Sequence, residues 1–454
     1  MTSKTTARRP ADASAAAPAT ASAANLRFGI ARADITPPFP TTMGGYGARQ
    51  DYFDRVNDPL TAEVLILENA GTRLVIVAAD LIAFEDQQAA DLRRQIAEIT
   101  RTPAECVLLN ASHTHGGPEP RDQGVYFNPS RDTGASIRYR EWLQKQLLAA
   151  AEKAAQNLEP GSLWHGCGKT AVPMNRRLER NGDIVNAPNP AGPVDNRLHV
   201  LALRSQDGRL RALGVRLSCH PVATGAQHLI TADIPGAFKK ACADALGADV
   251  TPFFLQGAGG DMRPATASAG DRWRQLDHAE LPAVGRQLLH ETLAVLLQPQ
   301  GLEQVVPGAF RGAYVEAEAP CERLYTTRKD FVKLLQDGPP HYAFYPTHAL
   351  ARLDAGLAIP DRVKIGVQTL WLNDDLAIVG IQGEVLIGLG DYVEKTLLPK
   401  KALLLGYCNG CISYLPDSHE VKRGGYEQMG YLYHIWTGPY KPGLEKIIAR
   451  AVYP

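Results

Sequence analysis

Two histidines stand two residues apart in the run Asn110-Ala111-Ser112-His113-Thr114-His115-Gly116-Gly117-Pro118. In an extended segment, residues i and i+2 point to the same side. His113 and His115 are thus expected to face one ion together, or one to bind an ion while the other serves a substrate. The small residues around them, Ala111, Ser112, Gly116 and Gly117, let the backbone come close to whatever is bound. The plain alternative is a pair of exposed loop histidines that titrate and do nothing else.

Other polar residues share a position just past an apolar run. His220 follows V-R-L-S-C, Asp261 follows F-F-L-Q-G-A-G-G, and Glu384 follows A-I-V-G-I-Q-G. In α/β sheets ligands gather in the crevice at the strand C-terminal ends, so these segments are expected to converge with the histidine pair. Each has a structural alternative. His220 also fits a core histidine satisfied by a carbonyl, and Glu384 an acid stabilised at a helix N-terminus. Asp261 and Asp233 also fit turns or caps. Asp80 reads either as a partner that orients a histidine or as a residue ending a strand. Two imidazoles and a carboxylate form a frequent zinc set with an open position. Such an ion lowers the pKa of water to roughly 7 and polarises a carbonyl, which gives amide or ester hydrolysis as the reaction class. Manganese or iron tolerates the same ligands.

The elements that must position these residues follow from periodicity. Strands are predicted over 28–35, 61–68, 74–79, 105–109, 198–203, 210–217, 252–255, 363–372 and 376–381, with hairpin turns at 69–73, 206–208 and 373–374. Helices are predicted over 86–100, 136–157, 235–246 and 276–297. Gly44-Gly45-Tyr46-Gly47 reads as a loop of close backbone approach. The Gly-, Pro- and Asn-rich segment 160–195 reads as a long loop. There is no internal sequence repeat and no linker after residue 26. The expected architecture is one α/β domain, residues 26–454, with a single mixed sheet and long loops at the strand C-terminal ends. Residues 1–25, rich in Ala, Ser, Thr and Pro, read as a disordered tail.

Bulk composition narrows the partners. Among 454 residues, 48 Lys and Arg balance 48 Asp and Glu, so no long-range field pulls the chain toward nucleic acid. The 7 cysteines are too sparse for a disulfide scaffold and read as mostly reduced, buried thiols. Cys408 and Cys411 form a lone C-x-x-C, compatible with a redox or structural metal role. No run reaches the roughly 18 apolar residues of a membrane span, so stable membrane insertion is not expected. Arg8-Arg9 is not followed by an apolar segment of the kind a secretion signal needs, which makes the cytoplasm the expected compartment.

Six motifs occur in order: A-R-A-D-I-T-P-P, M-G-G-Y-G, S-H-T-H-G-G-P, H-P-V-A-T-G, Q-G-A-G-G-D and Q-G-E. Together, over about residues 27–430, they resemble the catalytic domain of the neutral/alkaline, non-lysosomal ceramidases. That resemblance implies a zinc amidase cleaving an N-acyl bond, with His113, His220, Glu384 and Tyr414 as the zinc ligands and His115 on the substrate side. Tyr414 also fits a packed loop aromatic. The family's G-D-V-S-P carries a serine taken as catalytic, whereas this chain reads Gly260-Asp261-Met262-Arg263-Pro264. Arginine is no nucleophile, which leaves metal-activated water for the attack. Arg263 then pairs with a carboxylate or phosphate of the substrate, or is a surface loop residue. The family's immunoglobulin-like C-terminal domain is not expected here. His115, Asp261 and Arg263 are the expected catalytic group. The expected substrate is a small-molecule or lipid-like amide or ester, and a homo-oligomer is compatible with the sequence. A true ceramidase and a catalytically inactive ligand-binding homologue are the two alternatives.

Overall fold

The computed structural model describes residues 26–47, 49, 51–121, 132–338, 343–397 and 401–453. The tail expected over 1–25 lies outside the described residues. One arrangement is built three times. Strand Arg27–Asp34 pairs antiparallel with Thr61–Asn69, which pairs antiparallel with Thr72–Ala79, which pairs parallel with Val107–Ala111. Helix Asp86–Thr100 makes the crossover to the fourth strand, and helix Thr133–Gln156 follows it. Strands Glu159–Lys169, Arg197–Ser205, Leu210–Leu217 and Thr251–Gln256 repeat the same two antiparallel pairings and one parallel pairing. Their helices are Asp233–Leu246 and Leu281–Leu297. Strands Arg311–Pro320, Arg362–Trp371, Leu376–Ile381 and Lys401–Leu405 do so a third time, with helices Ile387–Thr396 and Leu444–Ala451. A parallel neighbour needs a crossover, which is why each unit carries a helix between its third and fourth strands.

The first two units join edge to edge in a nine-stranded mixed sheet, and the third forms a four-stranded sheet behind it. The α/β class with a large mixed sheet holds; the second sheet adds a layer that the strand pattern alone did not show. Period-2 alternation explains the layering. Val64, Ile66, Val75, Val77, Val107 and Leu109 face the first unit's helices. The intervening Leu65, Leu67, Leu74, Ile76 and Leu108 face Leu370, Ile378 and Leu403 of the other sheet. The outer face of the four-stranded sheet is covered by Val393 and Ile448 from its own helices. The result is a helix–sheet–sheet–helix sandwich whose strands are apolar on both faces.

The segment 160–195 is not a loop. It forms strands Glu159–Lys169, Pro173–Arg180 and Asp183–Asn189. Gly182 does mark a turn, but Gly161 marks close packing: a Cβ on it would lie 2.2 Å from the Arg204 carbonyl oxygen and 2.3 Å from the Phe28 ring. Six of the seven cysteines are buried, Cys167 is exposed, and all seven are free, Cys408 and Cys411 included. Among the described residues, no helix is long and apolar enough to cross a membrane.

Candidate active site

The three fourth strands converge at their C-terminal ends. The Gln256 backbone N–H donates to Asn110 Oδ1 (2.8 Å), Asn110 Nδ2 donates to the Gly406 carbonyl (2.8 Å), and the Gly406 N–H donates to the Gln256 carbonyl (3.1 Å). This ring ties one residue from each unit to the others. The segments leaving it carry the candidate site.

His113 does not sit in an extended segment as the i, i+2 argument requires. The strand ends at Ala111, and His113 adopts φ 64°, a left-handed conformation uncommon for a non-glycine residue. That turn, rather than strand alternation, brings the two imidazoles together, with His113 Nε2 3.2 Å from His115 Nε2. His113 Nδ1 donates to the Ile82 carbonyl at 2.6 Å, and His220 Nδ1 to the Gly259 carbonyl at 2.5 Å. A carbonyl only accepts, so both Nδ1 atoms carry hydrogen, and in neutral imidazoles both Nε2 atoms are acceptors. Both point at one carboxylate oxygen, Glu384 Oε2, at 3.2 Å and 3.0 Å. Burial, reinforced by the Arg176 charge, drives His220 down to about 3, so its ring is neutral at pH 7. Burial and the neighbouring His113 and His220 hold His115 well below the ordinary histidine range.

Three acceptors within hydrogen-bonding distance repel one another unless a cation lies between them. The donor set therefore fits a divalent ion of borderline softness, and the carbonyl bonds that fix both rings are the kind that accompany ligating histidines. The ligand nitrogens of His113, His115 and His220 lie within 4.8 Å of one another, so His115 is also within reach of the same ion. A cavity of about 20 Å³, room for one water, is lined by His113, His115, Glu384, Cys411 and Tyr414.

Tyr414 pairs backbone to backbone with Glu384, and its ring lies over His220 at 6.3 Å and 24°. Burial, then the Glu384 charge, raises its phenol well above the ordinary value. Asp261 stands apart from the histidines in its contacts. Its Oδ1 accepts the Ile387 N–H (3.0 Å) at the start of helix Ile387–Thr396, and Oδ2 accepts from Asn175 (3.4 Å). Burial raises its pKa to about 7. Arg263 Cζ lies 4.8 Å from the Trp273 ring. Asp80 is paired with Lys239 rather than a histidine, and Asp233 accepts the backbone N–H groups of Ala223, Thr224 and Ile234.

Sequence reasoning passed over several residues that shape this site. The Tyr407 ring stacks on His113 at 4.1 Å and 29°. It follows the strand Lys401–Leu405, so the strand-end rule that found His220 applies to it as well. Arg176 lies over the Tyr414 ring at 5.3 Å and pairs with Glu427 at 3.2 Å. It was hidden in the segment read as loop. The Tyr46 ring meets His115 edge-on at 4.9 Å. Gly45, in the loop of close backbone approach read from the sequence, makes room for His115 at φ +96°, since a Cβ there would lie 2.4 Å from its Nδ1.

No protein-family model matches the sequence, and no curated protein matches it. Solved structures do match in shape, among them these two. The crystal structure of neutral ceramidase from Pseudomonas aeruginosa superposes with a TM-score of 0.71 and 20% identity, over 94% of this chain and 74% of that one. A structure described as ceramidase complexed with C2 does so with a TM-score of 0.71 and 19% identity, over 94% of this chain and 75% of that one. The chain has a ceramidase-like fold. The likeness in shape extends over the sandwich that carries the histidine cluster, so the ordered motifs of the sequence and the architecture point to the same fold.

Proposed function

We propose that this chain is a metal-dependent hydrolase that cleaves an amide or ester bond in a small or polar N-acyl compound. The observation that supports this reading is the meeting of His113 Nε2 and His220 Nε2 on Glu384 Oε2, at 3.2 Å and 3.0 Å, with both Nδ1 atoms already spent on carbonyls. His113, His220 and Glu384 would hold the ion, with the Tyr414 phenol as a fourth ligand, and zinc is the metal best suited to this set. When bound, the ion supplies Lewis-acid polarisation of a carbonyl and a lowered pKa for water.

The remaining roles fall to the chain's own side chains. His115, beside His113 and facing Tyr46, hydrogen-bonds the oxygen that develops charge or carries a proton to the leaving group. Asp261 acts by position, anchoring the helix that follows Glu384. Tyr407 holds the His113 ring by stacking. The ceramidase-like fold favours N-acylsphingosine as the second substrate reading.

The test is a metal assay joined to a turnover screen. Protein purified without chelator is expected to hold about one zinc, manganese or iron per chain and to cleave members of a panel of N-acyl amides, lactones and esters. His220→Ala is expected to lose both metal and turnover. Full activity in metal-free His220→Ala protein overturns the reading. Rapid release of the acyl chain from a fluorescent ceramide, without turnover of the polar amides, assigns the lipid substrate instead.

A further inference from the structure

The buried arginines near the site have carboxylate or carbonyl partners; Arg49, for one, donates to the Gln227 and His115 carbonyls. Arg176 pairs with Glu427 and Arg177 with Glu420 and Glu427, while Arg216 pairs with Asp195. Arg263 does not follow this pattern. Among the described residues no carboxylate pairs with it; its one neighbour of note is the Trp273 ring under its guanidinium. Its Nε is buried with no hydrogen-bond partner, and so is Trp273 Nε1 beside it. Arg176 Nη2 is a third buried donor without a partner. The charged or titratable groups that act on Arg263 are Tyr46, Arg176, Cys219 and Asp233. None of them is an available anion. Arg176 repels it, Tyr46 and Cys219 are neutral, and the Asp233 carboxylate is already taken by the N–H groups of Ala223, Thr224 and Ile234 and the Thr224 hydroxyl.

Arg263 is tied to the candidate site through its own segment and through Tyr46. It lies four residues past Gly259, whose carbonyl fixes His220, and its strand Met262–Pro264 pairs with Pro173–Arg180 next to Arg176. Its charge reaches the Tyr46 phenol, whose ring rests on His115. A half-buried guanidinium whose Nε is shut away from water with no counter-charge carries a cost. Arg263 Nε and Trp273 Nε1 are two unsatisfied N–H donors on neighbouring side chains, and a carboxylate has two oxygens to accept them.

We propose that Arg263, with Trp273 Nε1, binds a carboxylate carried by the substrate, so that this enzyme acts on N-acyl compounds with an anionic group near the scissile bond. This rests on the hydrolase reading above and names the substrate class for it. An N-acyl amino acid has the required chemistry: hydrolysis breaks its amide C–N bond, adds water across it, and releases a fatty or small carboxylic acid and the free amino acid.

The test compares N-acylglycines with the isosteric, uncharged N-acylglycinamides on metal-reconstituted protein. The wild type is expected to favour the carboxylate in kcat/KM by at least about tenfold, mostly through KM, with the preference shrinking as salt rises. In Arg263→Gln the ratio is expected to fall by about the same factor. Arg263→Lys retains part of it, and Trp273→Phe loses a smaller part; thermal melts show which variants are folded. Equal turnover of charged and neutral amides by the wild type overturns the proposal and leaves the hydrolase reading intact, as does a preference that survives in folded Arg263→Gln. Calorimetric binding of N-acylglycine to metal-free protein covers the other case. Carboxylate-dependent binding that Arg263→Gln abolishes, in a protein that turns over neither amide, keeps the anion site and sinks the hydrolase reading. No carboxylate-dependent binding and no turnover sinks both.

Discussion

Two buried clusters flank the sheet, and they are put together on opposite principles. In one, Lys239 reaches Asp80 and lies 3.4 Å from Glu63, while Arg32 holds Glu63 from the other side at 3.0 Å. Two carboxylates meet two cations, and Thr61 adds its hydroxyl and N–H. The cluster is complete on protein atoms. In the other, Glu384 faces His113 and His220 through nitrogens that have no hydrogen left to give in their neutral forms. On the reading proposed above, a cation from outside completes that cluster. Both contain a carboxylate close behind the C-terminal end of a unit's third strand, Asp80 in one and Glu384 in the other. Position in the fold is therefore not what separates a scaffold acid from a ligand. The difference lies in whether the chain supplies the counter-charge.

The sharpest break between the two clusters comes from removing one charge in each. Glu384→Gln is expected to lower turnover by about four orders of magnitude, about 5 kcal/mol of barrier at 1.36 kcal/mol per decade. Metal-free Glu384→Gln protein should melt no lower than the metal-free wild type, because the amide N–H₂ can donate to the waiting nitrogens. A melting temperature that drops by several degrees would show that Glu384 is a scaffold acid like Asp80. Lys239→Met should do the reverse. Leaving Asp80 and Glu63 without the lysine is expected to cost about 3 to 5 kcal/mol of stability, read by urea unfolding, with one metal still bound per folded chain. Loss of metal in folded Lys239→Met would mean that the two clusters are coupled.

How much of this was written in the sequence differs between the two. His113, His220 and Glu384 were legible because each follows an apolar strand, and strand periodicity is a strong local signal. The i, i+2 spacing led to the expectation that His113 and His115 meet on an extended segment, whereas they meet through a left-handed backbone at His113, whose Nδ1 is held by the Ile82 carbonyl. The threefold repetition was invisible as sequence. The units share pairing order, which side-chain identity barely constrains, and the second unit carries the inserted strands Pro173–Arg180 and Asp183–Asn189. Those strands were missed because glycine and proline read as loop signals, while here Gly161 is demanded by contact with Phe28 and the Arg204 carbonyl. The Lys239 cluster was illegible for a related reason. Its hydrogen-bonded pairs lie 2 to 178 positions apart, and Asp80 looked like any residue that ends a strand.

A third pair of histidines tests whether proximity alone makes a metal site. His165 Nε2 and His199 Nδ1 are 3.1 Å apart, with rings stacked at 12°. Here one ring nitrogen donates to the other, so no external cation is required and metal content should stay near one per chain rather than two. Burial lowers His165 to about 4, against an ordinary value of about 6.5. The unfolded chain therefore takes up the proton first as pH falls. Stability from this pair is fully present above pH 6.5 and is lost as pH drops toward 4, by up to about 3 kcal/mol. Urea unfolding at pH 7 and pH 4.5 should show that fall, and a His165→Leu/His199→Leu variant should show less of it. An identical slope in the variant would assign the acid sensitivity elsewhere.

The smallest effect expected is at Asp261, and it separates positioning from chemistry. The carboxyl is buried and raised to about 7, so the folded protein holds a proton there that the unfolded chain releases near pH 4. Stability at this site is present below pH 4 and is lost as pH rises through 7. Asp261→Asn keeps the acceptor for the Ile387 N–H and removes the charge. The variant is therefore expected to be within about 1 kcal/mol of the wild type at pH 6 and at least as stable at pH 8. Its turnover should change by less than about tenfold, with the same dependence on pH. A collapse of kcat in folded Asp261→Asn, with KM unchanged, would place the carboxylate in the reaction itself and join it to the cluster that Glu384 defines.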